Sequence, residues 1–279
     1  MKHKIVMDSA GDIQSFAGLP FACVPLKILA GDKEFVDDRD LNVRGMVEFL
    51  RGYKGKASTA CPGVGEYLEA FEDAENVYVI TITSGLSGSY NSAKAAVDAY
   101  LEQYPQRKAH VFDSLSTGPH MLVIAEKIRE KVEEGLPFEE VVRQVSEYQK
   151  NTRLLFSLES LHNLANNGRV PVAVAKVAGI LGIRMLGRAS DKGTLEPMSK
   201  ARGAKKVTPE LMRMMNDMSY AGGKVRINHC LNEEGAEHVR QAILERFPNA
   251  DVAVGTTGAL CSFYAEQGGL LVAFEMNAQ

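Results

Sequence analysis

Apolar runs of strand length alternate with helical periodicity along the first half of the chain. Three of these runs end in small or acidic residues before the next helical pattern begins: residues 5–7 before Asp8 and Ser9, residues 77–83 before Ser84 and Gly85, and residues 109–112 before Asp113 and Ser114. Repeated strand-then-helix units are typical of a parallel sheet with ligands at the carboxyl ends of its strands. We therefore expect the three strand ends to lie along one rim.

Apolar positions spaced three and four residues apart predict the helices of this first half. They cover residues 43–51, 65–74, 91–102, 120–134 and 138–150. The pattern changes near Asn151, and a chain of 279 residues is large for one hydrophobic core. We predict two α/β domains, an N-terminal one of residues 1–151 with a mostly parallel sheet and a C-terminal one of residues 152–279.

Predicted strands and helices also alternate in the second half of the chain, after the turn Asn166-Asn167-Gly168-Arg169. Its predicted strands are residues 153–157, 195–198, 224–230, 251–254 and 270–274. Its predicted helices are residues 172–181, 203–219, 234–246 and 260–267. Strands alternating with helices again indicate an α/β domain.

Composition and charge exclude several classes of protein. A net charge of −3 with both signs mixed argues against a nucleic-acid partner, which requires a basic surface. The four cysteines form no CxxC pair, which argues against a metal site and favours a reducing cytoplasm. The sequence carries no signal-length apolar segment at its start and no run of membrane-spanning length. We expect a cytoplasmic protein without a transmembrane segment.

The loop Thr83-Ser84-Gly85-Leu86-Ser87-Gly88-Ser89-Tyr90 joins an apolar strand to a helical pattern. The N-terminus of a helix offers unpaired backbone N–H groups and a partial positive charge, and serine hydroxyls add neutral donors. The loop is therefore a candidate anion site. Capping of the following helix by a serine side chain accounts for the same residues equally well, so both interpretations stay open.

Two familiar chemistries fit this loop poorly. A serine hydrolase elbow needs G-x-S-x-G, whereas a serine stands at the last glycine position here, and no histidine is placed as an obvious partner. A nucleotide-binding loop needs a lysine followed by serine or threonine, which is absent. The loop alone thus indicates neither an esterase nor an ATPase.

Other polar residues extend the candidate site. Thr59 precedes the helix predicted at residue 65 and either lies on the same rim as a further donor or caps that helix. Asp8 and Asp113 end their strands, and we expect them to accept hydrogen bonds from backbone N–H groups and to hold the rim loops. Arg202 and Arg169 lie near turns, which suits docking of an acidic or phosphate-bearing partner as well as ordinary solvated surface.

Taken in order, these residues resemble the DegV family over nearly the whole chain. The most specific part of the match is S-G-L-S-G-[ST]-Y after a strand. The matching segments are Asp8-Ser9, Thr59-x-x-Pro62, the loop 83–90, Asp113-Ser114, Asn167-Gly168-Arg169-Val170 and Lys200-x-Arg202.

The resemblance implies two α/β domains that enclose one long-chain fatty acid. It also implies a carrier without catalytic residues, metal or cofactor, because family members include the binding subunits that present the carboxylate to a bacterial fatty acid kinase. By position, Thr59 and Ser84 would hold the carboxylate and Arg202 would dock the kinase. Further candidates for the head group are Gly85, Arg169 and Thr257.

The sequence departs from the family pattern at two places. Thr59-Ala60-Cys61-Pro62 replaces T-S-Q-P, and the H-x-G-P-G histidine is absent where Thr257 stands as a substitute donor. Eleven methionines suit an acyl chain, since this side chain adapts its shape. Two alternatives stay open: an acyl hydrolase using Ser84 or Ser87, and a lipid-sensing regulatory protein without a kinase partner.

Overall fold

The computed structural model describes residues 2–178 and 182–276. The first part of the chain contains the strands β1 (His3–Asp8), β2 (Phe21–Val24), β3 (Lys27–Ala30), β4 (Lys33–Val36), β5 (Ala57–Ala60), β6 (Asn76–Thr81) and β7 (Lys108–Asp113). Its helices are α1 (Val43–Gly52), α2 (Val64–Phe71), α3 (Ser89–Gln103), α4 (Pro119–Glu133) and α5 (Phe138–Lys150).

The second part contains the strands β8 (Thr152–Leu158), β9 (Ile183–Ala189), β10 (Leu195–Arg202), β11 (Val225–His229), β12 (Val252–Thr256) and β13 (Leu270–Glu275). Its helices are α6 (His162–Asn166), α7 (Val172–Ala178), α8 (Val207–Asp217), α9 (Glu233–Arg246) and α10 (Ala259–Ala265). The predicted mixed α/β fold is confirmed.

The first sheet is parallel, with the strand order β2-β1-β6-β7. Met7 pairs with Ile80, and Thr81 pairs with Asp113, so the carboxyl ends of β1, β6 and β7 lie side by side. The predicted rim is therefore confirmed. Successive side chains on β1 point to opposite faces: Met7 packs with α4 and α5, whereas Val6 packs with α2 and α3.

The second sheet has the order β10-β9-β8-β13-β11-β12 and is antiparallel except between β11 and β12. One face packs on α8 and α9 through residues such as Leu155 and Val272. The alternating residues Leu154, Phe156 and Leu271 face the other way, into a separate apolar cluster. That cluster includes Val123 of α4, so α4 packs on both sheets.

A small antiparallel sheet, β4-β3-β5, corrects the interpretation of Thr59. Thr59 pairs with Ile28 inside strand β5, and the N-cap of the following helix α2 is Gly63, so Thr59 does not cap that helix. Residues 57–60 carry no apolar alternation, so pairing with β3 creates this strand. The β3–β4 hairpin turns at Gly31, whose φ of +61° suits glycine.

Smaller differences concern the second half. Strand β9 was not predicted, and β10 extends to Arg202. The helix predicted at residues 203–219 consists of a 3-10 turn followed by α8. The predicted helix 172–181 corresponds to α7, and its residues 179–181 lie outside the described part of the chain. None of the described helices is both long and apolar enough to cross a membrane.

Candidate functional site

An apolar cavity lies between the first and second sheets. The space inside it that no protein atom fills, counted together with the part that is open to solvent, is about 820 Å³. Both halves of the chain contribute to its wall. Its large apolar side chains include Leu26, Leu86, Leu154, Phe156, Leu260 and Leu271.

The polar part of the wall consists of neutral hydroxyls and one cation. Among the described residues that line the cavity, Arg169 carries the only charge. The hydroxyl groups come from both halves of the chain and include Thr59, Thr83, Ser87 and Thr117 in the first half and Thr194 in the second. An apolar cavity with a few neutral donors and one guanidinium suits an anion attached to an apolar body.

Arg169 is positioned by the end of helix α6. Gly168 adopts φ +73°, its N–H donates to Ala165 O at 3.0 Å, and the N–H of Arg169 donates to Leu164 O at 2.8 Å. These two bonds form a Schellman motif, which requires a left-handed residue at the position of Gly168. The Nε of Arg169 donates to Leu86 O at 3.3 Å, so the side chain bridges to the loop of the first half. None of the ion pairs of the described residues involves Arg169.

Thr59 lies beside a tyrosine that the sequence interpretation missed. The hydroxyl oxygens of Thr59 and Tyr264 are 2.8 Å apart, and both residues line the cavity. The guanidinium of Arg169 lies 5.9 Å from the centre of the Tyr264 ring. Burial raises the pKa of Tyr264, although the Thr59 hydrogen bond and Arg169 act in the opposite direction. The phenol is therefore protonated at neutral pH and able to donate.

Two strand-end aspartates fix the loop 83–88. Asp8 accepts from the N–H of Ile82 at 2.9 Å and from the hydroxyl of Ser89 at 2.6 Å. Asp113 accepts from the N–H of Ser84 at 3.1 Å. The expectation that these carboxylates hold the rim loops is confirmed. Burial raises the pKa of Asp8 to about 7.

The loop uses much of its hydrogen-bonding capacity internally. The N–H of Gly85 donates to the Thr83 hydroxyl at 3.1 Å, and the N–H of Ser89 donates to the Ser87 hydroxyl at 3.3 Å. Ser84 is exposed and does not line the cavity, whereas Ser87 does. The assignment of the carboxylate to Ser84 stays a prediction, and the geometry adds Ser87 as a candidate.

Gly85 allows close contact between this loop and the β9–β10 hairpin. A Cβ atom at Gly85 would lie 2.8 Å from Lys192 O. A Cβ at Gly193, in the hairpin turn, would lie 1.9 Å from the Thr83 hydroxyl. Gly193 lines the cavity, so the two glycines let the hairpin close one side of it. A direct role of Gly85 at the head group stays a prediction.

Thr257 and Arg202 lie away from the cavity wall. Thr257 is buried, and its hydroxyl lies 2.7 Å from the Ser262 hydroxyl and 3.3 Å from His229 O. Arg202 ends strand β10 and is exposed. The structure thus brings Thr59 and Arg169 together, whereas the roles given to Thr257 and Arg202 stay predictions.

Helix α10 is attached at its N-terminus to two carboxylates of the first half. Asp37 accepts from the N–H groups of Ala259 and Leu260 at 2.8 and 3.0 Å, and Asp12 accepts from Gly258 at 2.8 Å. Negative charge at a helix N-terminus is stabilising. Burial raises the pKa of Asp37, and it raises that of Asp12 to about 7. The sequence interpretation missed both residues.

The described part of the cavity wall contains no histidine, which leaves its serines without a general base there. The Ser87 hydroxyl instead accepts from the Ser89 N–H. Across residues 2–178 and 182–276, no three His, Cys, Asp or Glu side chains are grouped to hold a metal ion.

The chain is similar to one family along nearly its whole length. Residues 2–276 match the family described as "Uncharacterised protein, DegV family". A DegV domain-containing protein of Streptococcus pneumoniae is 42% identical over 281 residues, covering 99% of this chain and 100% of that protein. The chain belongs to the DegV family, as its motifs predict.

Two solved structures are closely similar to this fold. A DegV family protein from Eubacterium eligens, loaded with heptadecanoic acid, is 46% identical with a TM-score of 0.97 and covers 99% of this chain and 100% of that chain. The Fatty Acid Kinase (Fak) B3 protein of Streptococcus pneumoniae, loaded with linoleic acid, is 42% identical with the same TM-score and the same coverage.

Proposed function

We propose that this protein binds one long-chain fatty acid, with the acyl chain in the cavity between the two sheets and the carboxylate near Thr59 and Arg169. The observation that carries the proposal is the cavity wall, which combines large apolar side chains with hydroxyl groups and a single cation. The fatty acids in the two similar solved structures support it.

The acyl chain supplies most of the binding free energy in this proposal. Each buried methylene is worth about 0.8 kcal/mol, so a chain of about sixteen carbons contributes on the order of 10 kcal/mol of transfer free energy. Hydroxyls and the Arg169 guanidinium compensate the carboxylate for the water that it loses. The tail thus determines affinity, and the polar residues determine orientation.

Titration of delipidated protein with oleate and palmitate tests this proposal. Ala189 lines the cavity on β9, and Ala189→Phe places a ring in the space for the tail. Ala253→Phe places the same ring at an exposed position on β12 and is the matched control. We expect at least tenfold weaker binding for Ala189→Phe and unchanged binding for Ala253→Phe. Equal affinity in both variants would place the ligand elsewhere.

Two serines are candidates for the hydroxyl that binds the carboxylate together with Thr59. The family pattern assigns it to Ser84, whereas the geometry directs Ser87 into the cavity. Ser84→Ala and Ser87→Ala, measured separately with oleate, distinguish them. The variant with the larger loss of affinity identifies the donor, and the absence of any loss in both removes the loop from the head-group site.

We further propose that the bound fatty acid is presented to a separate ATP-dependent kinase and that the protein is a carrier in the cytoplasm, not itself an enzyme. The similarity to the Fak B3 protein supports a kinase partner. A pull-down of the kinase with Arg202→Glu, against the exposed control Arg44→Glu, tests docking. Selective loss with Arg202→Glu supports the role of Arg202. Absence of any kinase binding by the unaltered protein favours a lipid sensor.

An acyl hydrolase using Ser84 or Ser87 has no observation in its favour at the cavity wall. A chromogenic long-chain ester provides the test. We expect no turnover, and turnover that is abolished by Ser84→Ala or Ser87→Ala would overturn the carrier proposal.

A further inference from the structure

We propose that Tyr264 is a head-group donor of this protein, taking the place of the histidine that the family pattern puts in the neighbouring segment. This inference rests on the proposed fatty-acid function. Its central observation is the 2.8 Å contact between the hydroxyls of Tyr264 and Thr59 at the cavity wall.

The position of Tyr264 follows from the geometry of α10. Leu260, Cys261, Tyr264 and Ala265 line the cavity, and these positions share one face of a helix. The buried carboxylate of Asp37 fixes the N-terminus of the same helix through two N–H groups. Tyr264 is thus presented to the cavity by a short helix that is anchored to the first half of the chain.

The hydroxyl pair has one hydrogen to offer a ligand. Two hydroxyl groups carry two hydrogens, and the contact between Thr59 and Tyr264 uses one of them. The second hydrogen remains available to an acceptor in the cavity. A carboxylate oxygen that approaches both hydroxyls accepts from each when it replaces the hydrogen bond between them. A phenol is a more acidic donor than an aliphatic hydroxyl, which favours Tyr264 as the stronger partner of an anion.

Charge around the pair favours an anion at this place. The Arg169 guanidinium lies 5.9 Å from the Tyr264 ring centre, and its Nε also reaches Leu86 O of the opposite loop. No carboxylate is among the described residues of the cavity wall. Thr59, Tyr264 and Arg169 therefore form a head-group site from three separate segments of the chain.

Binding of oleate and of its neutral methyl ester by Tyr264→Phe tests the role of the phenol. Removing a hydrogen bond to an ionised group weakens binding about tenfold or more, so we expect that loss for oleate and less than threefold for methyl oleate. Tyr148→Phe removes a hydroxyl that bonds Glu275, away from the cavity, and is the control. Equal oleate affinity of Tyr264→Phe and unaltered protein overturns the inference.

Two further measurements separate a head-group role from a structural one. The carbon-13 resonance of carboxyl-labelled oleate reports the pKa of the bound acid, which we expect to be higher in Tyr264→Phe than in unaltered protein. A double-mutant cycle with Thr59→Val should show non-additive losses. An unchanged carboxyl pKa together with additive losses contradicts the inference. Failure of the unaltered protein to bind oleate contradicts the proposed function itself.

Discussion

Carboxylates of the first half of the chain hold the helix that carries Tyr264. Asp37 is buried and Asp12 is half-buried, and their oxygens accept from the first N–H groups of α10. These N–H groups have no partner within the helix, so the aspartates act as caps from a distant part of the sequence. At the scale of single residues, the cavity wall depends on these contacts.

Asp37→Ala should destabilise the protein by about 2 to 4 kcal/mol. The substitution leaves the N–H groups of Ala259 and Leu260 buried without an acceptor, and each such group costs about 1 to 3 kcal/mol. Asp37→Asn keeps one acceptor oxygen and should cost less. Urea unfolding measures the difference. A larger loss in Asp37→Asn than in Asp37→Ala would contradict the capping role.

Ionisation of Asp12 should contribute to the pH dependence of the free energy of unfolding. Burial raises its pKa in the folded protein to about 7, whereas the unfolded value is about 3.8. The stability that this group contributes is therefore fully present below about pH 4 and is lost as the pH rises through about 7. Its upper bound is about 4 kcal/mol. Urea unfolding from pH 4 to 8 should show a smaller decline in Asp12→Asn, and an equal decline would contradict this assignment.

At the scale of elements, the hairpin of β9 and β10 closes the cavity against the loop 83–88. Gly193 allows this contact in two ways, since its φ is +71° and a Cβ atom at this position would lie 1.9 Å from the Thr83 hydroxyl. The loop contributes Gly85 to the same contact. Closure therefore depends on glycine at both surfaces.

Gly193→Ala should weaken fatty-acid binding as well as stability. Gly135→Ala is a matched control, because Gly135 has φ +77° and a Cβ added there would meet no other atom within 4 Å. Both variants carry the cost of about 1 kcal/mol for a left-handed alanine. Only Gly193→Ala also displaces the hairpin, so only it should lower oleate affinity. Equal affinity in the two variants would contradict the role of the hairpin.

The elements differ in how well the sequence predicts them. The parallel rim was predictable because each strand ends in a polar residue before a helix, as at Asp8 and Asp113. The β3–β4 hairpin left a signal in Gly31-Asp32, a common two-residue turn, that the interpretation did not use. The sequence around Thr59 carries no such signal, because this strand forms through pairing with β3 and not through an apolar alternation of its own residues.

The proposed head-group site was predictable only in part. Thr59 and Arg169 follow from motifs, and both line the cavity. Tyr264 belongs to a short helix without a motif, and its partner Thr59 is 205 residues away. The contact of Asp37 with Ala259 spans 222 residues. Contacts at such separations depend on how the two halves dock, which local patterns do not encode.

At the scale of the whole molecule, α4 packs on both of the sheets between which the cavity lies. Glu126 on this helix accepts from Arg226 on β11 at 3.0 Å, and only 12% and 10% of these side chains are exposed. Arg226 also pairs with Asp251. The buried pair of Glu126 and Arg226 joins the halves of the chain that form the cavity.

Glu126→Ala should destabilise the protein by roughly 2 kcal/mol, less than the loss of an isolated buried pair because Arg226 keeps Asp251. Glu130→Ala, on the same helix, removes a more exposed carboxylate bonded to Lys127 and should cost less than about 1 kcal/mol. Urea unfolding compares them. Equal losses would show that the buried pair does not join the halves.

Native mass spectrometry directly tests whether one chain binds one fatty acid. Measured on the protein as purified and again after incubation with oleate, it reports what one chain holds without any label. We expect a chain carrying one fatty acid, either on isolation or after oleate is added. A chain that carries nothing in both samples would contradict it.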